Sequence, residues 1–456
     1  MLFNSTEFLL GFLPIFILLY YATQVKYRTI TLFAGSIFFY AYGEPIYVFL
    51  LFLSIVLNYV VSKYIGKKRK RNNWRRRRLY ICAVVLNVLV LATFKWLPVF
   101  GSSLPFADIG MPLGISFYTF QILSYLTDIY RGEIVAESSF LKIAAYISMF
   151  PQLTSGPIVR YEEISEVLKT PKMKAEDFDG GLKTFVCGLA LKVLLADRLA
   201  ILWHEIQTTG FISISTPLAW LGAFGFSLEI YFDFYGYSLM ALGLGRILGF
   251  SLPENFRMPY MASSVREFYR RWHMSLKNWF QKYVYIPLGG SRKGMFRTVL
   301  NLLVVWLLTA IWHGGTLNFL IWGLSLWFFI TLERLILSKY TWGKWKIPGH
   351  LYVWFVIPLT WMCFAITDLG ELGIYFGRMF GLVEGISVYS GDFIKALNNY
   401  GVFFGIGLLL CTPLAEKVYK KCKDSLLGML LLAVIFWLCI WRILAEGNNP
   451  FMYLRF

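Results

Sequence analysis

The sequence predicts an all-α, polytopic membrane protein, and three observations predict it. Of the 456 residues 57% are hydrophobic and only 15% charged, where an ordinary soluble domain carries roughly a quarter charged. The apolar residues fall into runs long enough for a helix to cross a hydrocarbon core of about 30 Å, which takes about 20 residues. The basic residues gather in the short intervals between those runs. No interval is long enough to close a core of its own, so residues 1–456 are expected to form a single membrane domain.

The elements follow in order. The stretch Met1 to Tyr21 is apolar but starts with Asn4 and Glu7. Having neither a basic n-region nor a small-residue cleavage site, it is expected to be a retained helix rather than a signal peptide. Backbone polar groups inside a bilayer must be satisfied within the segment, which makes each apolar run a helix. The expected spans are 7–23, 29–42, 45–62, 79–97, 112–129, 181–202, 217–245, 298–313, 316–337, 350–367, 401–415 and 425–443, about twelve in all. The run 139–153, ended by Pro151 and Gly156-Pro157, reads as a re-entrant or interfacial helix. Orientation follows from the loops. Segment 63–78 holds ten basic residues and no acid, so it is expected on the cytoplasmic side. Counting outward places Lys26 and Arg28, Arg257 to Arg297, Lys339 to Lys346 and Lys417 to Lys423 inside. Residues 203–216, the loop 368–398 and both ends then lie outside.

The formal charge of +18 is accounted for by this topology. Nucleic acid, which needs a basic surface clear of the membrane, is not an expected partner; membrane lipid is. Five of the six cysteines, Cys82, Cys187, Cys363, Cys411 and Cys439, lie in apolar runs; the sixth is Cys422, and no C-x-x-C pair occurs. Neither a disulfide framework nor a metal site is suggested. A phosphate loop, H-E-x-x-H and G-x-S-x-G are all missing from the sequence. The one glycine pattern, Gly243-Leu-Gly-Arg-Ile-Leu-Gly249, has no strand before it and reads as a helix-packing or helix-breaking element.

Ionisable residues inside spans are costly and usually face a cavity or a partner. His313 ends the run Trp306-Leu-Leu-Thr-Ala-Ile-Trp-His-Gly-Gly315, whose glycines admit close approach to the ring. A neutral imidazole there suits removal of a hydroxyl proton; the same residue equally reads as a histidine hydrogen-bonded between helices. His273 lies in Arg266-Glu-Phe-Tyr-Arg-Arg-Trp-His-Met-Ser-Leu-Lys-Asn-Trp-Phe-Gln-Lys-Tyr-Val-Tyr285. Apolar residues at helical spacing (Phe268, Trp272, Leu276, Trp279, Phe280, Tyr283) predict one amphipathic helix at the cytoplasmic interface, with His273 near headgroups as the plainer reading. Its basic face, with Arg270 and Arg271, also suits a phosphate-bearing acyl carrier. Glu229 and Asp233 share a helix face, and a structural pairing of Asp233 with Arg246 or Lys192 competes with a catalytic role. His204 and His350 sit at span ends and take no assigned role.

These segments together resemble the membrane-bound O-acyltransferase family, and particularly its bacterial branch of alginate O-acetylases and teichoic acid D-alanyl transferases. The resemblance runs nearly end to end. It includes Met1-Leu-Phe-Asn-Ser-Thr-Glu-Phe-Leu9, Pro112-Leu-Gly-Ile-Ser-Phe-Tyr-Thr-Phe-Gln121, Phe150-Pro-Gln-Leu-Thr-Ser-Gly-Pro-Ile-Val-Arg-Tyr161 and Tyr231-Phe-Asp-Phe-Tyr-Gly-Tyr-Ser238. Its most specific pieces are Glu267-Phe-Tyr-Arg-Arg-Trp-His273, Tyr285-Ile-Pro-Leu-Gly-Gly290 and Trp312-His-Gly314. Where alginate-type relatives tend to read W-H-G-x-x-W, this chain has Leu317 in place of the last tryptophan. Leu326 stands where many have a histidine, and Leu239 where many have an aspartate. These departures leave acyl transfer standing and put alginate itself in doubt as the polymer.

The resemblance implies helices around a central funnel, His313 as the catalytic histidine and His273 as the second histidine of the branch. It implies an acyl thioester donor on coenzyme A or a carrier protein, with Arg270 and Arg271 as candidates for the carrier's phosphates. The expected function is transfer of an acyl group, acetyl first among them, across the bacterial cytoplasmic membrane to a hydroxyl of an exported or cell-wall polysaccharide. With no large extracytoplasmic domain in view, a separate extracytoplasmic acyltransferase or acceptor protein is an expected partner. The alternatives are a D-alanyl, lipid or protein acyltransferase of the same family and a polytopic transporter, for which the sequence shows no internal repeat.

Overall fold

The computed structural model describes residues 1–67, 74–100, 110–154, 156–172, 174–337, 346–383, 388, 389, 391–447 and 449–452. Among these residues there are helices and no strand. In chain order the first nine are α1 Leu13–Ala22, α2 Arg28–Gly43, α3 Tyr47–Lys67, α4 Trp74–Phe100, α5 Ile115–Arg131, α6 Phe140–Ser148, α7 Phe150–Leu153, α8 Tyr161–Lys169 and α9 Ala175–Ala190. They are followed by α10 Asp197–Thr209, α11 Thr216–Ile247, α12 Val265–Arg271, α13 Met274–Phe280, α14 Gly294–His313, α15 Leu317–Leu332 and α16 Lys346–Ala365. The last four are α17 Leu369–Met379, α18 Asp392–Leu410, α19 Pro413–Cys422 and α20 Leu426–Glu446.

Among the described residues seven segments are long and apolar enough to cross a membrane: Tyr47–Lys67, Trp74–Trp96, Gly294–His313, Leu317–Ile336, Ile347–Ala365, Asp392–Leu410 and Leu426–Glu446. Their faces carry exposed Leu, Ile, Phe and Trp side chains, Phe49, Leu89, Phe328, Leu431 and Trp441 among them, the surface that hydrocarbon rather than water tolerates. The other expected spans are helical too. Three are shorter, 16 residues at Glu7–Ala22, 16 in α2 and 17 in α5. The run 181–202 is carried by α9, a π-helical turn Leu191–Ala196 and α10, and 217–245 lies in the 32-residue α11, which holds Glu229, Asp233 and Arg246. The run 139–153 is broken at Met149 into α6 and α7 and is buried from Ile143 to Leu153. Much of the basic segments 63–78 and 339–346 and the last residues 453–456 lie outside the described residues.

The helices fall into two compact units. The first takes in residues 1–188, 237–254 and the described part of 440–455. Its centre is aromatic: Phe12 meets Phe150 edge-on at 5.5 Å, and Tyr237 is stacked between Phe3 at 4.8 Å and Phe451 at 4.7 Å. Asn58 of α3 and Asn87 of α4 exchange side-chain amide hydrogen bonds at 3.1 and 2.8 Å, a pairing that keeps two buried amides satisfied away from water. Arg76 donates to the carbonyls of Ile65, Ile129 and Tyr130, closing the C-terminal ends of α3 and α5 with a cation. A Cβ on Gly243 would lie 2.6 Å from the Gly181 carbonyl and 2.7 Å from the Phe185 nitrogen. The glycine pattern is thus a packing element, as its sequence suggested.

The second unit takes in residues 189–236 and 255–439. Within it α14 and α15 form a tight hairpin, because a Cβ on Gly323 would sit 2.9 Å from the Trp306 carbonyl and 3.0 Å from the Ala310 methyl. Asn318 at the head of α15 reaches the carbonyls of Cys363 and Phe364 at the end of α16. Glu333, just past α15, accepts from the backbone N–H groups of Val265 and Arg266 and so caps the start of α12.

Candidate active site

His313 is the last residue of α14, and it is buried. The helix stops there because two glycines follow, Gly315 in a left-handed conformation that a side chain resists. Its N–H bonds to the Ala310 carbonyl, folding the chain straight into α15. The imidazole is enclosed by rings: Trp312 at 4.4 Å, Trp322 and Phe364 edge-on at 5.1 Å each, and Phe319 at 6.1 Å. These rings pack around the imidazole on several sides, and an imidazole in its neutral form is the species able to take a proton.

His273 corrects the expectation of one continuous interfacial helix. The segment is two short helices, α12 and α13, and His273 stands between them in a left-handed conformation, with φ 42° and ψ 54°. The cause is Asn255. Its backbone carbonyl accepts from the Met274 N–H at 2.9 Å. Its side-chain Oδ1 accepts from the Ser275 hydroxyl at 2.6 Å and the Ser275 N–H at 3.4 Å, and lies 3.3 Å from His273 Nδ1. These bonds divert the chain from a helix the apolar spacing alone favours. His273 is buried, as are Phe268, Trp272, Leu276, Trp279 and Phe280, so the segment is internal structure rather than a surface anchor.

The same contacts set the imidazole's chemistry. A backbone N–H only donates, so the Asn255 atom facing Ser275 is oxygen, and His273 Nδ1 must carry the proton it shares with that oxygen. Nε2 is then the basic nitrogen. Burial lowers the pKa to about 3, which keeps the ring neutral at ordinary pH. Phe234 packs edge-on against it at 4.7 Å, and Trp312 lies 6.5 Å away. Trp312 is therefore a neighbour of both histidines, which the sequence places forty residues apart.

The charged candidates separate. Asp233 pairs with Lys192 at 2.6 Å, and Lys192 also holds Asp197 at 2.7 Å. With Lys192 and Asp233 both buried, this is a structural clamp, expensive to break because a partner would be left charged and buried. Arg246 instead meets Asp177. Arg271 pairs with Glu267 and donates to the Met258 carbonyl, so its charge is committed within the fold. Arg270 is exposed, and its charge acts with burial to lower the pKa of the half-buried Lys277. His350 binds the Ala262 carbonyl through Nδ1 at 3.0 Å, and His204 is exposed on α10.

Comparison with known proteins now bears on this geometry. A sequence model of the membrane-bound O-acyltransferase family matches residues 114–369, more than half of the chain and the part that carries both histidines. The chain belongs to the membrane-bound O-acyltransferase family. Among its relatives, a protein named a probable alginate O-acetylase in Pseudomonas putida is 31% identical over the full length of both chains. One of the same name in Pseudomonas aeruginosa is 38% identical over 73% of this chain and 66% of its own. A peptidoglycan O-acetyltransferase of Helicobacter pylori is 33% identical over 88% of this chain and 84% of its own. This membrane-bound O-acyltransferase is accordingly a multi-pass acyltransferase. One neighbour of its histidines carried no signal in the sequence, Asn255, which lies eighteen residues before His273; Trp322, which reaches His313 from the next helix, opens the family-like segment that holds Leu326.

Proposed function

We propose that this enzyme is an O-acetyltransferase that moves acetyl from a cytoplasmic thioester to a hydroxyl of an exported or cell-wall polysaccharide, with His313 as the general base. The observation that carries the reading is the buried imidazole at the glycine-terminated end of α14, in the segment matched to the family. Relatives named for acetylating alginate and peptidoglycan, similar over most of this chain, support acetyl as the group and a glycan as the acceptor. The departures at Leu317, Leu326 and Leu239 argue against alginate as that glycan.

In this reading the donor is coenzyme A or an acyl carrier protein. Arg270 and Lys277 are better placed for its phosphates than Arg271, which Glu267 already holds. His313 takes the hydroxyl proton as the oxygen attacks the thioester carbonyl, and His273, held neutral by burial, positions a reactant through Nε2. The acetyl then passes to polymer directly or through a separate extracytoplasmic acyltransferase in the bacterial inner membrane system.

The test is ester-linked acetate on exported glycans, compared between the intact enzyme and His313→Ala at matched membrane levels. Acetate is expected to fall to the deletion background. Unchanged acetate in the variant would remove His313 from the mechanism; equal acetate with and without the intact enzyme would remove the acetylation reading.

A further inference from the structure

Trp322 is the second residue of interest at the proposed base. It is almost fully buried, at 2% exposure, and its indole N–H has no acceptor among the described residues. An indole nitrogen donates and never accepts, and a buried donor left unpaired is destabilising. Its surroundings supply rings instead: Trp306 edge-on at 5.9 Å, Phe364 at 5.2 Å, Trp361 stacked at 6.1 Å, and the His313 imidazole at 5.1 Å with an interplanar angle of 89°. The ring that carries this buried donor is thus packed against the ring of the proposed base.

The position is rigid. Gly323, the next residue, brings α15 against the Trp306 carbonyl so closely that a methyl group has no room. Asn318 ties the head of the same helix to the carbonyls beneath Phe364. Donors that stabilise developing charge act best when fixed beforehand in a site from which water is excluded, since nothing then has to reorganise as the reaction proceeds.

We infer that the Trp322 indole N–H is a catalytic donor to the carbonyl oxygen of the acyl thioester, an oxyanion contact paired with the base on His313. This rests on the reading of His313 given above. As the acceptor oxygen bonds to the carbonyl carbon, its proton passes to His313 and the carbonyl π pair moves onto oxygen, where Trp322 donates. Return of that pair breaks the carbon–sulfur bond, and the proton on His313 goes to the departing thiolate.

The test keeps the shape of the ring and removes only the N–H. The full-length enzyme is made from an amber codon at position 322, read either as Trp or as 3-benzothienylalanine, in which sulfur replaces the N–H. The initial rate of acetate ester appearance on exported glycans is followed at matched membrane levels. The benzothienyl enzyme and Trp322→Phe are both expected to be slower than the Trp enzyme by at least about tenfold, in keeping with loss of one oxyanion donor. A benzothienyl enzyme as fast as the Trp enzyme overturns the inference, even if Trp322→Phe is slow, because shape alone would then be what matters. His313→Ala run in parallel separates the two claims: a dead His313→Ala beside a fully active benzothienyl enzyme sinks the Trp322 assignment only. An active His313→Ala, or a wild type that adds no acetate, sinks the underlying reading and the inference with it.

Discussion

At the scale of single residues, the site depends on how two imidazoles are enclosed and aimed. His313 was legible because a histidine closing an apolar run before two glycines is chemically unusual, and the family motifs concentrate on it. Asn255 was not, because its hold on His273 depends on a left-handed backbone turn that no local spacing announces. The bond predicts a measurable pH effect. In the wild type the His273 pKa of about 3 lies below the ordinary imidazole value, so the ring stays neutral at any pH above that. An acid limb of activity between pH 5 and 8 therefore belongs to another group. Asn255→Asp puts a carboxylate beside Nδ1, which favours the imidazolium and raises the pKa. Membranes carrying Asn255→Asp, assayed as thiol release from acetyl-CoA, should lose activity toward acid at a higher pH than wild type does, as the raised His273 pKa is approached from above. Asn255→Ala should instead be about tenfold slower at every pH, since orientation is lost without a new charge. Superimposable profiles for all three enzymes would show that His273 takes no part in the reaction.

At the scale of elements, apolar periodicity found the helices and misjudged how some of them end. The seven long spans were readable because lipid-facing helices are apolar over their whole length. The segment around His273 also shows helical spacing, yet it is split, since the hydrogen bonds that Asn255 accepts from Met274 and Ser275 outweigh the propensity of the two residues at the break. Glu333 is a further device of this kind. It was unremarkable in the sequence, and in the fold its carboxylate closes the open N–H groups of Val265 and Arg266, fixing α12 and the histidine beyond it. Glu333→Ala leaves the buried Val265 N–H without that acceptor, at a cost of about 1–3 kcal/mol, and frees the part-buried Arg266 N–H, whereas Glu333→Gln retains an acceptor oxygen. Thermal unfolding of the purified enzyme in detergent should show a clear fall in midpoint for Glu333→Ala and a smaller one for Glu333→Gln. Equal midpoints for wild type and Glu333→Ala would mean that α12 is held by packing alone.

At the scale of the whole molecule, composition declared a membrane protein at once, while the side on which each loop lies rests on charge. A net +18 distributed over loops orients a polytopic chain through the cytoplasmic retention of Lys and Arg. By that rule the basic end of α3 is inside and the loop after α10 is outside. Each assignment can be tested with one cysteine after Cys82, Cys187, Cys363, Cys411, Cys422 and Cys439 have been replaced. Lys67→Cys should be blocked by a membrane-impermeant maleimide only in inverted vesicles, and Thr209→Cys only in intact cells or spheroplasts. The distinction matters for mechanism, because a thioester made in the cytoplasm and a glycan outside meet at one base only if the chain is oriented as its charges require. Labelling of both positions from the same side would break the counting of spans between them. Labelling reversed at both would keep the count and place the proposed donor contacts, Arg270 and Lys277, on the face where no cytoplasmic thioester can reach them.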